Sequence, residues 1–206
     1  MKGTGITLLL LLFVFLFIAQ PSTPQQHDWE ETATETIWHK RYTNCDYGYY
    51  VSLRSGVVAH GTHSPAPNHG FYVSLPDVSN ASPASEDRAR IVWVDAHYNV
   101  SDFHSLAKVV KYEMRWTSEG KVSMRIVQRK ASTLGGVPAV SLVVQRAGEH
   151  GLVIEQRVIA LRSGIVYTAA LQSLAKNIAA DREKFEQIRR GFTLLPLPQG
   201  ECSNDE

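Results

Sequence analysis

A surplus of charge is what this 206-residue sequence most plainly lacks: 21 Lys and Arg stand against 20 Asp and Glu. Lys2 is the only charged residue among the first 20, so the remainder is balanced before histidine is counted. A balanced surface makes no long-range field to gather phosphates, which argues against nucleic acid as a partner and against steering to an anionic membrane. Cysteine is almost absent too, with Cys45 and Cys202 the only two. Neither sits in a motif that lowers a thiol pKa, which argues against cysteine catalysis. The chain has no Gly-x-Ser-x-Gly nucleophile turn, no G-x-x-x-x-G-K-[ST] and no G-x-G-x-x-G, so the common signatures of serine hydrolases and of phosphate cradles are missing.

Long apolar runs are scarce as well, with one exception at the start. Lys2 is followed from Ile6 to Ala19 by a nearly unbroken apolar stretch, LLLLLFVFLFIA at its core, and then by Gln20-Pro21-Ser22-Thr23-Pro24. A basic start, a short apolar segment and a polar, proline-bearing exit have the layout of a secretory signal. The run is short for about 30 Å of hydrocarbon, which takes roughly 20 residues. Its small-x-small cleavage pattern is poor, because Phe17 stands two places before Ala19. Residues 1–20 are therefore read as a signal peptide or a retained N-terminal anchor, and either places the folded part outside the cytoplasm, periplasmic or secreted. A membrane enters only if the segment is retained. In an oxidising compartment Cys45 and Cys202 are naturally read as a pair. Their bridge would close a loop of more than 150 residues, which the chain-entropy model values at roughly 4–5 kcal/mol. Two free thiols stay open as the alternative.

About 180 residues remain, enough for one domain with a single core. Residues 21–41 are polar and acidic (EETATET) with Trp29 and Trp38 the large apolar groups, and they read as a flexible arm. The domain is expected over 42–198, and 199–206 form a tail. YGYYVSL (Tyr47–Leu53), FYVSL (Phe71–Leu75) and RIVWVDAHY (Arg90–Tyr98) are aromatic and β-branched, as strands are. The Gly-, Pro- and His-rich stretch 56–70 and the stretch Pro76–Asp87 read as loops. A helix is expected to be capped by Ser101 or Asp102, with Phe103, Leu106, Ala107, Val110 and Met114 on one stripe. Val122, Met124 and Ile126 alternate in the first of four further strands, followed by Pro138–Gln145, Leu152–Leu161 and Ile165–Leu174. The links at Gly135-Gly136, Gly148–Gly151 and Ser163-Gly164 are too short for anything but antiparallel neighbours. A last helix is expected from Ile178 to Arg190, with Asn177 as cap, Asp181 and Glu183 early, Arg189 and Arg190 late, and Gly191 as its stop. The pattern is α+β: an antiparallel sheet with a four-stranded C-terminal meander, covered by helices.

That order and its wording over Leu134–Leu195 resemble the PsbP-like family of exported or lumenal proteins. LGGVPAV introduces a strand, VIEQRVIALRSGIVYTAALQS makes a hairpin with a tyrosine after its glycine, and DREKFEQIRRGFTLL closes with a helix and Phe192. The resemblance implies an α/β/α sandwich. It also implies accessory, binding or assembly roles without catalytic machinery. The words that match are core and turn residues, so they bear on fold more than on chemistry.

Few residues carry chemistry on their own. His60, His63 and His69 share the 56–70 loop, and imidazoles suit Zn²⁺ or Cu²⁺, but H-x₂-H-x₅-H matches no established metal spacing. The bland reading is a polar surface loop. His97 and His104 flank the start of the first helix beside Asp95, Asp102, Ser101 and Ser105, which sketches a hydrolase without its nucleophile turn. Gly135-Gly136 reads as a turn rather than a phosphate loop, and Glu155 and Arg157 as a solvated edge. Asn80 and Asn99 stand in N-x-[ST] patterns. Trp93 and Trp116, with Phe71, Tyr72 and Tyr98, read as packing or as an aromatic pocket between sheet and helix. The expectation is an exported, non-enzymatic binding or accessory protein of the cell envelope, whose partner is an envelope protein or a small ligand and which needs no cofactor. The alternatives are a metal- or small-ligand-binding protein using loop 56–70, and a hydrolase using the His97/His104 region.

Overall fold

The computed structural model describes residues 35–62, 69–75, 90–118, 124–148 and 151–196, all within one compact unit spanning 33–206. In chain order they form β1 (Glu35–Trp38), β2 (Arg41–Asn44), β3 (Tyr49–Ser52), β4 (Ala59–Thr62), β5 (Gly70–Ser74) and β6 (Ile91–Tyr98). Then come α1 (Leu106–Ser118), β7 (Met124–Leu134), β8 (Val137–Gly148), β9 (Gly151–Arg162), β10 (Ile165–Leu174), α2 (Ile178–Gly191) and β11 (Phe192–Leu194). One antiparallel sheet runs β1-β4-β5-β6-β10-β9-β8-β7, and a smaller one runs β11-β3-β2. The architecture is a mostly antiparallel sheet with two helices.

Strands β7 to β10 pair each with the next. Gly135 and Gly136 take φ of +56° and +82°, and Ser163 and Gly164 take +51° and +75°. Two successive positive φ values make the hairpin turn whose twist matches that of the strands it joins.

Opposite residues in an antiparallel pair share a face, so register sorts the side chains. Tyr167, Ala169 and Leu171 of β10 lie beside Ala96, Val94 and Val92 of β6, in the same core as Phe185 and Ile188 of α2. Val166 points the other way, into a second core with Val109 and Val110 of α1, Ile159 of β9 and Leu142 and Val144 of β8. The two helices thus lie on opposite faces of the large sheet. Being buried on both sides, β10 (IVYTAALQSL) shows no polar alternation.

The α2 side holds an aromatic core shared with the small sheet. Trp38 meets Tyr42 edge-on at 4.8 Å between ring centroids, Tyr42 meets Phe71 at 4.8 Å, and Tyr49 stacks on Phe192 at 5.1 Å. Their polar ends are satisfied, as buried phenols must be: Tyr167 donates to the Tyr47 carbonyl at 2.8 Å, and Tyr49 to the His69 carbonyl at 3.0 Å. Burial pushes the Tyr167 phenol up to about 12 and raises that of Tyr49, so both remain neutral donors. Helix α2 is also pinned by charge. Asp181 in its first turn is buried and accepts from Arg90 (Nε at 2.7 Å, and Nη2) and from Ser173 Oγ at 2.5 Å.

Several expectations need correction. Ordered structure begins inside the stretch read as a flexible arm, residues 21–41: β1 pairs with β4, and Trp38 is buried. The loop 56–70 is interrupted by β4, which carries His60. Helix α1 starts at Leu106, later than a cap at Ser101 or Asp102 allows; Asp102 adopts φ +46°, and Ser105 Oγ accepts from the Lys108 amide at 3.4 Å. Asn177 makes no side-chain cap bond to α2, its carbonyl instead accepting from the Asp181 amide at 3.1 Å. Gly191 ends that helix for a packing reason, because a Cβ there would lie 2.3 Å from the Ser52 carbonyl oxygen. Glu155 and Arg157 are no solvated edge. They form an ion pair in β9, both largely buried. Residues 1–20, most of the arm and the tail 199–206 lie outside the described residues.

Candidate functional site

Three strands set the site. His60 of β4 stands opposite Tyr72 of β5, and Tyr72 opposite Trp93 of β6. Their neighbours Phe71, Val73, Val92 and Val94 fill the α2-side core, so period-2 alternation turns the row His60–Tyr72–Trp93 to the other face. His60 and Tyr72 stack at 5.4 Å with planes 21° apart, and Tyr72 stays 39% exposed. Two residues along, on the same face, Gly70 stands opposite Asp95. A Cβ on Gly70 would overlap the Val94 carbonyl, 1.8 Å from its oxygen, so only glycine fits where the two backbones meet. Beside this contact lies a cleft of about 300 Å³, lined by His69, Tyr72, Trp93 and Asp95 and floored by the glycines of β4 and β5.

One wall is fixed from behind. His69 Nδ1 lies 2.9 Å from the Ala96 carbonyl and 3.0 Å from the Tyr47 hydroxyl, and the Tyr47 ring stacks on the imidazole at 5.4 Å. At the other end, Asp95 Oδ2 lies 3.4 Å from His97 Nδ1, whose Nε2 lies 3.2 Å from Glu113 of α1. These bonds, Asp95 first and Glu113 second, raise the His97 pKa from 6.5 to about 9 against the opposing effect of burial. His97 is therefore an imidazolium at neutral pH and holds no lone pair for general-base work.

The sequence candidates separate accordingly. His60 and His69 come to adjacent strands but take different partners, and His63 lies outside the described residues. Among the described residues no group of three His, Cys, Asp or Glu could hold a metal ion. His104 is 85% exposed and 3.9 Å from Asp102, with no share in the His97 network. Ser105 caps α1. Asn99 spends its amide locally, donating to the Phe103 carbonyl at 2.8 Å and accepting from its amide at 3.2 Å; Asn80 lies outside the described residues. Cys45 sits in the turn after β2, and Cys202 lies outside the described residues. Asp95 and Gly70 were missed as a pair, since only strand register brings them together. Glu113 was missed because it reaches His97 from another element.

No protein family matches the sequence, and no curated protein matches it either. Solved structures do match. Cyanobacterial PsbP (CyanoP) from Synechocystis sp. superposes with a TM-score of 0.51 at 12% identity, covering 79% of this chain and 94% of that one. The fold is PsbP-like. Two further structures align more loosely. A Pseudomonas aeruginosa protein of unknown function, PA94, has a TM-score of 0.49 at 19% identity over 68% of this chain and 93% of its own. LpqN, involved in cell envelope biogenesis of Mycobacterium tuberculosis, has a TM-score of 0.42 at 17% identity over 81% and 87%. In this PsbP-like frame the cleft lies on β4, β5 and β6, the half of the large sheet remote from β7. Among the described residues no helix is long and apolar enough to cross a membrane.

Proposed function

We propose that this is an exported, non-catalytic accessory protein of PsbP-like α/β/α construction, which binds a small ligand or a partner side chain in the cleft between Tyr72, Trp93, His69 and Asp95. The cleft carries the reading. Its size is at the lower end of ligand sites, it combines aromatic walls with one carboxylate, and its His69 wall is held in place by Tyr47 and Ala96. The imidazolium state of His97 weighs against the hydrolase alternative. Export rests on the apolar segment at Ile6–Ala19. The Cys45–Cys202 bridge belongs to the same proposal: the Leu195 amide donates to the Gly48 carbonyl at 2.8 Å, which holds Leu195 beside the Cys45–Gly48 turn. Six residues stand between Leu195 and Cys202, and about 3.3–3.6 Å per residue gives ample reach.

Fragment screening of the ¹⁵N-labelled protein by NMR tests the binding role. Shifts concentrated on His69–Tyr72 and Trp93–Asp95 are expected. Hits that cluster elsewhere, or none across a diverse library, would remove the reading.

A further inference from the structure

The far edge of the large sheet carries a different signal. Strand β7 is terminal in the sheet, pairs only with β8 among the described residues, and has seven consecutive exposed residues, Arg125 to Ala131. Ile126 and Val127 are 47% and 41% exposed. The hairpin 124–148 holds Arg125, Arg129, Lys130 and Arg146 and not one carboxylate, within a chain whose charges otherwise balance. Among the described residues Arg125, Arg129 and Lys130 form no ion pair, whereas Arg157, Arg90 and Arg189 each have a carboxylate. Beyond the irregularity between Ile126 and Gln128, the register with β8 is regular through Leu134. Among the described residues the stretch Arg125–Ala131 therefore presents a strand edge with no further strand paired to it, flanked by cations without an ion pair, while at its far end the Thr133 carbonyl accepts from Arg189 at 3.0 Å.

We propose that the β7 edge binds an acidic extended segment of a partner protein by strand addition. Arg129 and Lys130 are adjacent, so they project to opposite faces. An incoming strand with two consecutive carboxylates would place one on each face. Backbone pairing supplies affinity, and the charges supply selection and steering. A second copy of this chain fits poorly, because pairing β7 with itself would set like charges against one another. The surface is independent of the cleft, from which β10, β9 and β8 separate it.

The experiment uses the full chain and a fluorescent seven-residue Thr/Val peptide with two adjacent glutamates. Its comparisons are a glutamine twin and a twin N-methylated on every central residue, which keeps the charge but has no N–H left to pair along either of its edges. Saturable binding is expected, at least tenfold weaker for each twin and for the double substitution Arg129→Glu/Lys130→Glu at unchanged Tm, with new hydrogen-exchange protection in β7. Equal binding of the N-methylated twin would mean charge attraction alone and overturn the proposal. Absence of binding would mean that the cations only guard the edge, and a concentration-dependent dimer lost on the same substitution would mean that the edge belongs to a second copy. Either result would also overturn it. Loss of the cleft's ligand role would leave all of these results unaffected.

Discussion

Two carboxylates bracket His97, and the sign of their effect on stability follows from the state of the ring they favour. Its pKa in the fold, about 9, is above the ordinary 6.5. The protonated form is thus favoured by folding, and the stabilisation is fully present below about pH 6.5, declines between there and pH 9, and is lost above. The shift corresponds to about 3 kcal/mol, which the 31% exposure of the side chain screens to on the order of 1–2 kcal/mol. Urea unfolding at pH 6 and pH 9.5 should show that difference, and His97→Gln should flatten it; an equal slope in the variant would assign the pH dependence to other groups. Asp181 behaves differently because it is buried. Removing it in Asp181→Ala leaves the Arg90 guanidinium, itself nearly buried, without its carboxylate partner. A loss of about 3–5 kcal/mol is expected by chemical denaturation, and a loss under about 1 kcal/mol would contradict the pinning role assigned to it.

At the scale of elements, legibility followed the range of the forces involved. Strands β9 and β10 and helix α2 were readable because local pattern and tertiary position agree there: apolar runs, short glycine links and a stripe of Ile178, Phe185 and Ile188. Strand β1 was not readable, since ETIW in an acidic stretch gives no local signal and its order comes from pairing with β4 and from the pocket that Tyr42 offers Trp38. Strand β4 was hidden likewise among glycine, proline and histidine. In the cleft, alternation alone turned Tyr72 and Trp93 outward, but the pairing of Gly70 with Asp95 is a matter of register between distant segments. A truncation starting at residue 33 is accordingly expected to unfold at the same temperature as the full chain. A start at residue 42, the boundary that composition suggested, removes β1 and Trp38 and is expected to cost about 3 kcal/mol or more. Equal stability of the two truncations would put the domain boundary back at 42.

For the whole molecule, likeness to PsbP is a statement about layers and connections, and function has to come from what the surface offers. The surface is nearly neutral as a sum but uneven in detail, with a carboxylate-bearing aromatic cleft on one half of the sheet and a purely basic hairpin on the other. The proposed Cys45–Cys202 bridge acts on the unfolded chain as a whole. Its reduction is expected to lower stability by roughly 4–5 kcal/mol without changing the folded spectrum, and mass spectrometry should find both thiols blocked to alkylation until reductant is added. Alkylation of either cysteine in the native protein without reductant would dismiss the bridge.

The binding role of the cleft is the central claim, and calorimetry on the strongest NMR hit tests it most directly. Trp93→Ala removes a wall of the cleft while Asp95 and Gly70 stay in place, so its Kd is predicted to rise at least tenfold, about 1.4 kcal/mol, at a Tm that still reports a folded protein. An unchanged Kd in the folded variant would contradict the account.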